Sequence, residues 1–241
     1  MDHAAELAAA VARFADLAAR CDGTEQVPAC EGWTARDLVE HLGGVHRWAA
    51  SIVLSGQRLK EPSPLVTEPL ADWYEGTASA LLAAIRAVSP GEPVPNFSRI
   101  GETAAFWPRR QMHETTVHAV DAAQALGIGE EEWTVAGPLA ADGVDEVLQV
   151  FFPRMTARGN RPVVGARIRL VATDVDQSWI ISPGEGDLAA PLQLHASLDA
   201  DETVTGSASD LYLALWHRVS LERLRFEGEH GRALLAGPTT P

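Results

Sequence analysis

Lysine is almost missing from this chain: Lys60 is the single one, and every other side-chain cation at neutral pH is an arginine. Together with the abundant alanine, this usage reads as genome compositional bias rather than as function. Positive charge as a whole is short, with 19 Lys and Arg against 33 Asp and Glu and a formal net charge of −14. That field excludes nucleic acid and anionic membrane surfaces as general partners. A local arginine cluster can still take a small anionic substrate. Long apolar runs are missing too, none approaching the roughly 18 residues that span a bilayer. The opening M-D-H-A-A-E-L has neither the positive charge nor the apolar stretch of a signal peptide, so a cytoplasmic protein is expected. Cysteine is confined to Cys21 and Cys30, expected as two free thiols in a cytosolic setting. Neither shares a short spacing with a histidine, which speaks against a cysteine-based metal site. Internal repeats, low-complexity tracts and coiled-coil heptads are not found.

What remains is an ordinary globular composition, 46% hydrophobic and 22% charged over 241 residues, enough for one large domain or two small ones. Residues 4–20 place Leu7, Val11, Phe14, Leu17 and Ala18 at helical spacing. Thr34 and Asp37 have the spacing of an N-terminal capping box, predicting a helix to about Ser55, where Gly56 and the prolines at 62, 64 and 69 interrupt. A third helix is expected over about 70–88, and a fourth from near Phe106 to Gly127, with Pro108 in its first turn. Leu139, Val144, Val147, Leu148 and Phe151 suggest another over about 138–155. After Gly159 the texture changes. A-R-I-R-L-V-A-T-D, Q-S-W-I-I-S and L-Q-L-H-A-S-L-D alternate as half-buried strands do. G-S-A-S-D-L-Y-L-A-L-W-H-R returns to helical period with Ser207 or Ser209 as cap, and L-R-F-E-G reads as a short strand. The expected class is α+β in two domains, a helical one over 1–158 and a smaller α+β one over 159–241.

The segment R-R-Q-M-H-E-T-T-V-H-A-V-D, residues 109–121, carries the chemistry. Glu114 and His118 lie four residues apart on a helix, about 40° around its axis, so both can face one divalent ion. The pair alone is weak, since such pairs also occur on solvated faces, but the flanking residues are mostly apolar and buried polar groups need partners. His41, among Leu38, Leu42 and Val45, is the best third ligand. His46, about 140° away, cannot easily share the ion and is expected at the surface or at a bundle end. His113 and His118 are five apart, so the H-E-x-x-H zincin pattern fails, and His113 is expected to be a neighbour or exposed. Asp121 could accept the second N–H of a ligating histidine or be an ordinary surface aspartate. Arg110, one turn before Glu114, could clamp a carboxylate or be a surface cation, as could Arg109. Arg218 could be a helix-end cation or a substrate contact. Trp33 is expected to seat the loop before the second helix.

Three segments together resemble the mycothiol-dependent maleylpyruvate isomerase family: E-G-W-T-A-R-D-L-V-E-H-L-G-G-V-H-R-W at 31–48, the 109–121 segment, and G-S-A-S-D-L-Y-L-A-L-W-H-R at 206–218 with the adjoining L-R-F-E-G-E. The resemblance covers nearly the whole chain. It implies a DinB-like four-helix bundle followed by the family's C-terminal domain. It implies a single metal, usually zinc, held at the positions of His41, Glu114 and His118, and an active-site arginine at Arg218. It also implies mycothiol as thiol cofactor or co-substrate, and an electrophilic, carboxylate-bearing small molecule as substrate. The expected chemistry is thiol activation on the metal for cis–trans isomerisation or S-transfer. Two alternatives stay open: metal-assisted hydrolysis at the same site, and a non-catalytic module binding a small molecule or a protein.

Overall fold

The computed structural model describes residues 1–60, 66, 69–98, 100–183 and 199–241. Its contacts divide the chain into two compact units, one of residues 1–97 and 101–134, the other of 98–100 and 135–241.

The first unit is a bundle of α1 (His3–Arg20), α2 (Ala35–Ser55), α3 (Leu70–Ala87) and α4 (Phe106–Ala125), followed by the short α5 (Glu130–Trp133). The caps explain the boundaries. Asp2 accepts from the N–H groups of Ala4 and Ala5, and Thr34 with Asp37 closes the expected capping box. Gly56 and Gly127 follow α2 and α4 with φ of 62° and 66°, left-handed positions suited to glycine. Helix α1 packs on α4, and α2 on α3. A Cβ on Gly43 would overlap the Trp73 indole, so only glycine lets α2 and α3 approach this closely. Fourteen of the twenty residues of α4 are buried. A helix enclosed on most sides must partner every polar group it carries, and α4 carries many.

The second unit opens with α6 (Gly137–Glu146), a π-helical turn over Val147–Phe151, and α7 (Phe152–Ala157). The π turn falls where Pro153 has no N–H to give the carbonyl one turn earlier, and Phe152 donates to Val147 instead. Strands β1 (Ile168–Ala172), β2 (Ser178–Ile181), β3 (Glu202–Gly206) and β4 (Arg225–Glu227) form a sheet in the order β2-β1-β3-β4. The β1–β3 pair is parallel and the other two pairs are antiparallel. Ile168, Leu170 and Ala172 alternate inward along β1, as the sequence period predicts. Helix α8 (Ala208–Leu215), capped by Ser207, packs on β1, β3 and α6, while α9 (His230–Ala236) packs on β3 and β4.

Two differences from the sequence reading stand out. The units divide at Thr134/Val135, not at 158/159, because α6 packs on α8 through Gly143, where a Cβ would overlap the Tyr212 ring. Strand β3, E-T-V-T-G, was not anticipated, since only Val204 of its five residues is buried. The strand expected in L-Q-L-H-A-S-L-D lies at 192–199, of which 192–198 fall outside the described residues. Among the described residues, no helix is long and apolar enough to cross a membrane.

Candidate metal centre

Helices α2 and α4 bring His41, Glu114 and His118 together in the first unit. Glu114 Oε1 lies 3.6 Å from His41 Nε2 and 3.4 Å from His118 Nε2. One ligand atom from each of the three lies within 4.8 Å of the other two. Donors held at about 2.0–2.2 Å around a tetrahedral ion stand about 3.3–3.6 Å apart, so the spacing and the N/N/O donor set suit a divalent cation. Three protein donors would leave one tetrahedral position open. The His41 side chain is 32% exposed and that of His118 10%, which puts the accessible side at His41.

Each donor is held by a neighbour. Asp121 Oδ2 lies 2.9 Å from His118 Nδ1, which leaves Nε2 facing Glu114. Arg110 donates from Nη2 to Glu114 Oε2 at 2.6 Å, so the other oxygen of that carboxylate turns to the histidines. Trp33 packs against the His41 ring with centroids 5.0 Å apart, and the His41 and His118 rings meet edge-on at 5.2 Å. The Trp33 carbonyl accepts from the Val27 N–H, tying the loop before α2 to that packing.

The electrostatics record a shortage of positive charge. Burial would push the Glu114 carboxyl up, but the Arg110 guanidinium and the adjacent His118 and His41 imidazoles hold it well below the usual carboxylate range. Burial would likewise pull His118 down, yet Asp121 and Glu114 outweigh it and raise that imidazolium to about 9. A buried pocket that binds a proton this tightly is one that favours a cation.

Other sequence readings are corrected. His46 is neither at the surface nor at a bundle end; it is wholly buried, with Nε2 3.0 Å from Thr115 Oγ1. The Thr115 hydroxyl donates to the Gln111 carbonyl at 2.7 Å, so the His46 ring is the donor in that pair. Burial is the largest influence on this ring and holds its pKa at about 3. His113 is buried, not exposed. The misplacing of His46 follows from expecting one buried face on a helix that is enclosed more widely. Arg110 is 2% exposed, and the carboxylate it grips is that of Glu114, not one from solvent. Asp121, one carboxylate that could serve as base in a hydrolytic reading, is fully buried and engaged by His118. Arg218 lies in the second unit just after α8, its Nη1 donating to the Trp216 carbonyl at 2.6 Å. Both cysteines are free thiols. Sequence reasoning missed Cys30, whose Sγ lies 3.9 Å from Asp121 Oδ2. A contact between residues so distant in sequence leaves no local pattern.

Comparison with known proteins agrees with this layout. The family model described as mycothiol maleylpyruvate isomerase N-terminal domain matches residues 4–123, and the MDMPI C-terminal domain matches 138–237. The crystal structure of a mycothiol-dependent maleylpyruvate isomerase has the same fold, with a TM-score of 0.62 at 16% identity over 95% of this chain and 94% of that one. A histidine-to-alanine mutant of such an isomerase gives 0.65 at 15% identity with the same coverage. No curated protein matches the sequence.

Proposed function

Since this chain belongs to the mycothiol-dependent maleylpyruvate isomerase family through both of its domains, we propose that it is a metal-dependent enzyme acting with mycothiol on an electrophilic, carboxylate-bearing small molecule. His41, Glu114 and His118 are assigned as the ligands of one divalent ion, with zinc the first choice for two imidazoles and a carboxylate. The observation that carries the reading is the convergence of those three donors, each backed by its own neighbour, on a side accessible past His41. The chemistry a divalent ion supplies when bound there is a lowered thiol pKa, so that the sulfur is thiolate at neutral pH.

The chain's own residues do the rest. Asp121 fixes the proton of His118 on Nδ1 and keeps Nε2 available as a donor. Arg110 orients Glu114 and offsets its charge inside the bundle. Arg218 is assigned the negative charge of the substrate, as a planar guanidinium suited to a carboxylate. Two outcomes fit this machinery: cis–trans isomerisation, which returns the thiol, and S-transfer, which leaves it on the product. The engagement of Asp121 by His118 weighs against Asp121 as the base of a hydrolytic reaction.

Zinc-loaded protein assayed with maleylpyruvate, or with a panel of conjugated electrophiles, tests the proposal. Turnover that requires mycothiol is expected. Equal turnover in thiol-free buffer would turn the reading to hydrolysis, and purified protein without stoichiometric metal would favour a non-catalytic binding module.

A further inference from the structure

His217 is the one non-glycine residue among the described residues with a positive φ, 59°. Its N–H donates to the Ala214 carbonyl at 3.0 Å and the Arg218 N–H to the Leu213 carbonyl at 2.8 Å. These two bonds form a Schellman turn that ends α8, with His217 where glycine is usual. A side chain in that conformation is strained where glycine would not be. What the histidine provides in return is a tie to a distant segment.

The His217 Nε2 lies 3.2 Å from Thr239 Oγ1. Burial and the adjacent Arg218 charge keep the imidazole below its ordinary pKa. Thr239 is fully buried; its hydroxyl donates to the Leu215 carbonyl at 2.6 Å, and Thr240 Oγ1 reaches the same oxygen at 3.3 Å. Carbonyls in the last turn of a helix have no partner within the helix. Residues 237–240 therefore cap α8 and grip the turn at once. Arg218 emerges from that turn with its backbone tied to Leu213 and its guanidinium to the Trp216 carbonyl, while the Trp216 ring packs on Phe151 at 4.9 Å.

We propose that Gly237–Thr240 is a latch that holds the left-handed turn at His217 and so aims Arg218, making His217 and Thr239 positioning residues for the substrate's carboxylate. The proposal rests on the assignment of Arg218 to the substrate's negative charge. Its physical basis is entropy: an arginine loses rotamer freedom when it is ordered. A side chain aimed in advance does not lose that freedom at binding.

The test uses the full metal-loaded chain and the heteronuclear NOE of the Arg218 Nε–Hε pair, assigned by its loss in Arg218→Lys. Wild type and Thr239→Ser should give a rigid value. Thr239→Val and His217→Gly should both give a lowered one, although His217→Gly relieves backbone strain and its melting temperature should hold. Maleate, as a dicarboxylate probe, should bind both variants about tenfold more weakly, the scale of re-ordering one arginine. A rigid NOE in Thr239→Val and His217→Gly would overturn the latch. Maleate affinity unchanged in Arg218→Ala would instead overturn the assignment of Arg218 and the functional half of the proposal.

Discussion

Helices α2 and α4 enclose two imidazoles only a short way apart and hold them in opposite states. His118 is raised to about 9, and His46 is lowered to about 3. Burial opposes charge at both. The difference is what stands beside them. His118 has Asp121 at 2.9 Å and Glu114 at 3.4 Å, whereas His46 has the Thr115 hydroxyl at 3.0 Å and the Tyr74 ring at 5.5 Å. Within one pair of helices, then, the placement of two carboxylates separates a cation-seeking centre from a neutral polar core. A histidine on a buried face becomes a candidate ligand through its neighbours, not through its burial.

The largest effect that would break this comparison is expected from Glu114→Gln. It removes a donor and leaves the buried Arg110 facing a neutral amide. Metal content by mass spectrometry should fall to background, and chemical denaturation should show a loss of about 3–5 kcal/mol, the scale for breaking a buried ion pair. Retained stoichiometric metal would mean that the carboxylate is not a ligand.

Next comes pH. An ion must displace the His118 proton, so zinc affinity should rise about tenfold per pH unit from 7 towards 9 and then level off. The metal-free protein should show the two histidines acting in opposite directions on its stability. The His118 contribution is full below its ordinary value of 6.5 and is lost as pH rises through about 9. His46 is depressed, so stability falls as pH drops below 6.5, where the unfolded chain takes a proton the folded one refuses, until about 3. Denaturation midpoints across this range should peak near the middle, and zinc should remove the alkaline loss. A flat profile would contradict the opposed environments.

Asp121→Asn should weaken zinc binding 10- to 100-fold by calorimetry, the usual effect of removing a carboxylate behind a ligating histidine. Wild-type affinity would make Asp121 a bystander. The smallest effect on the centre is expected at His46: His46→Ala should keep full metal content and lose about 1–3 kcal/mol of stability through the unsatisfied Thr115 and the space left behind.

Sequence alone made a good part of this visible, and the reasons differ by region. The Thr34–Asp37 box and the Gly56 and Gly127 stops marked helix ends because capping is local chemistry. Glu114 and His118 were legible as a pair because helical geometry fixes neighbours four residues apart. His46 was misplaced, and Arg110 was left open between a clamp and a surface cation, because sequence spacing does not tell how many sides of a helix are enclosed. Strand β3 escaped because alternation is faint in a strand with one buried residue, and the Cys30–Asp121 contact because it spans 91 positions. The boundary was set at the first strands although the second unit already begins with α6, whose Gly143 seats Tyr212.

The central claim is that three side chains from α2 and α4 hold one cation, and a zinc-edge anomalous difference map from zinc-soaked crystals addresses it directly. The account predicts one strong peak at about 2.0–2.2 Å from His41 Nε2, Glu114 Oε1 and His118 Nε2 together. A map with no peak among these atoms, or with its strongest peak on other residues, would contradict it.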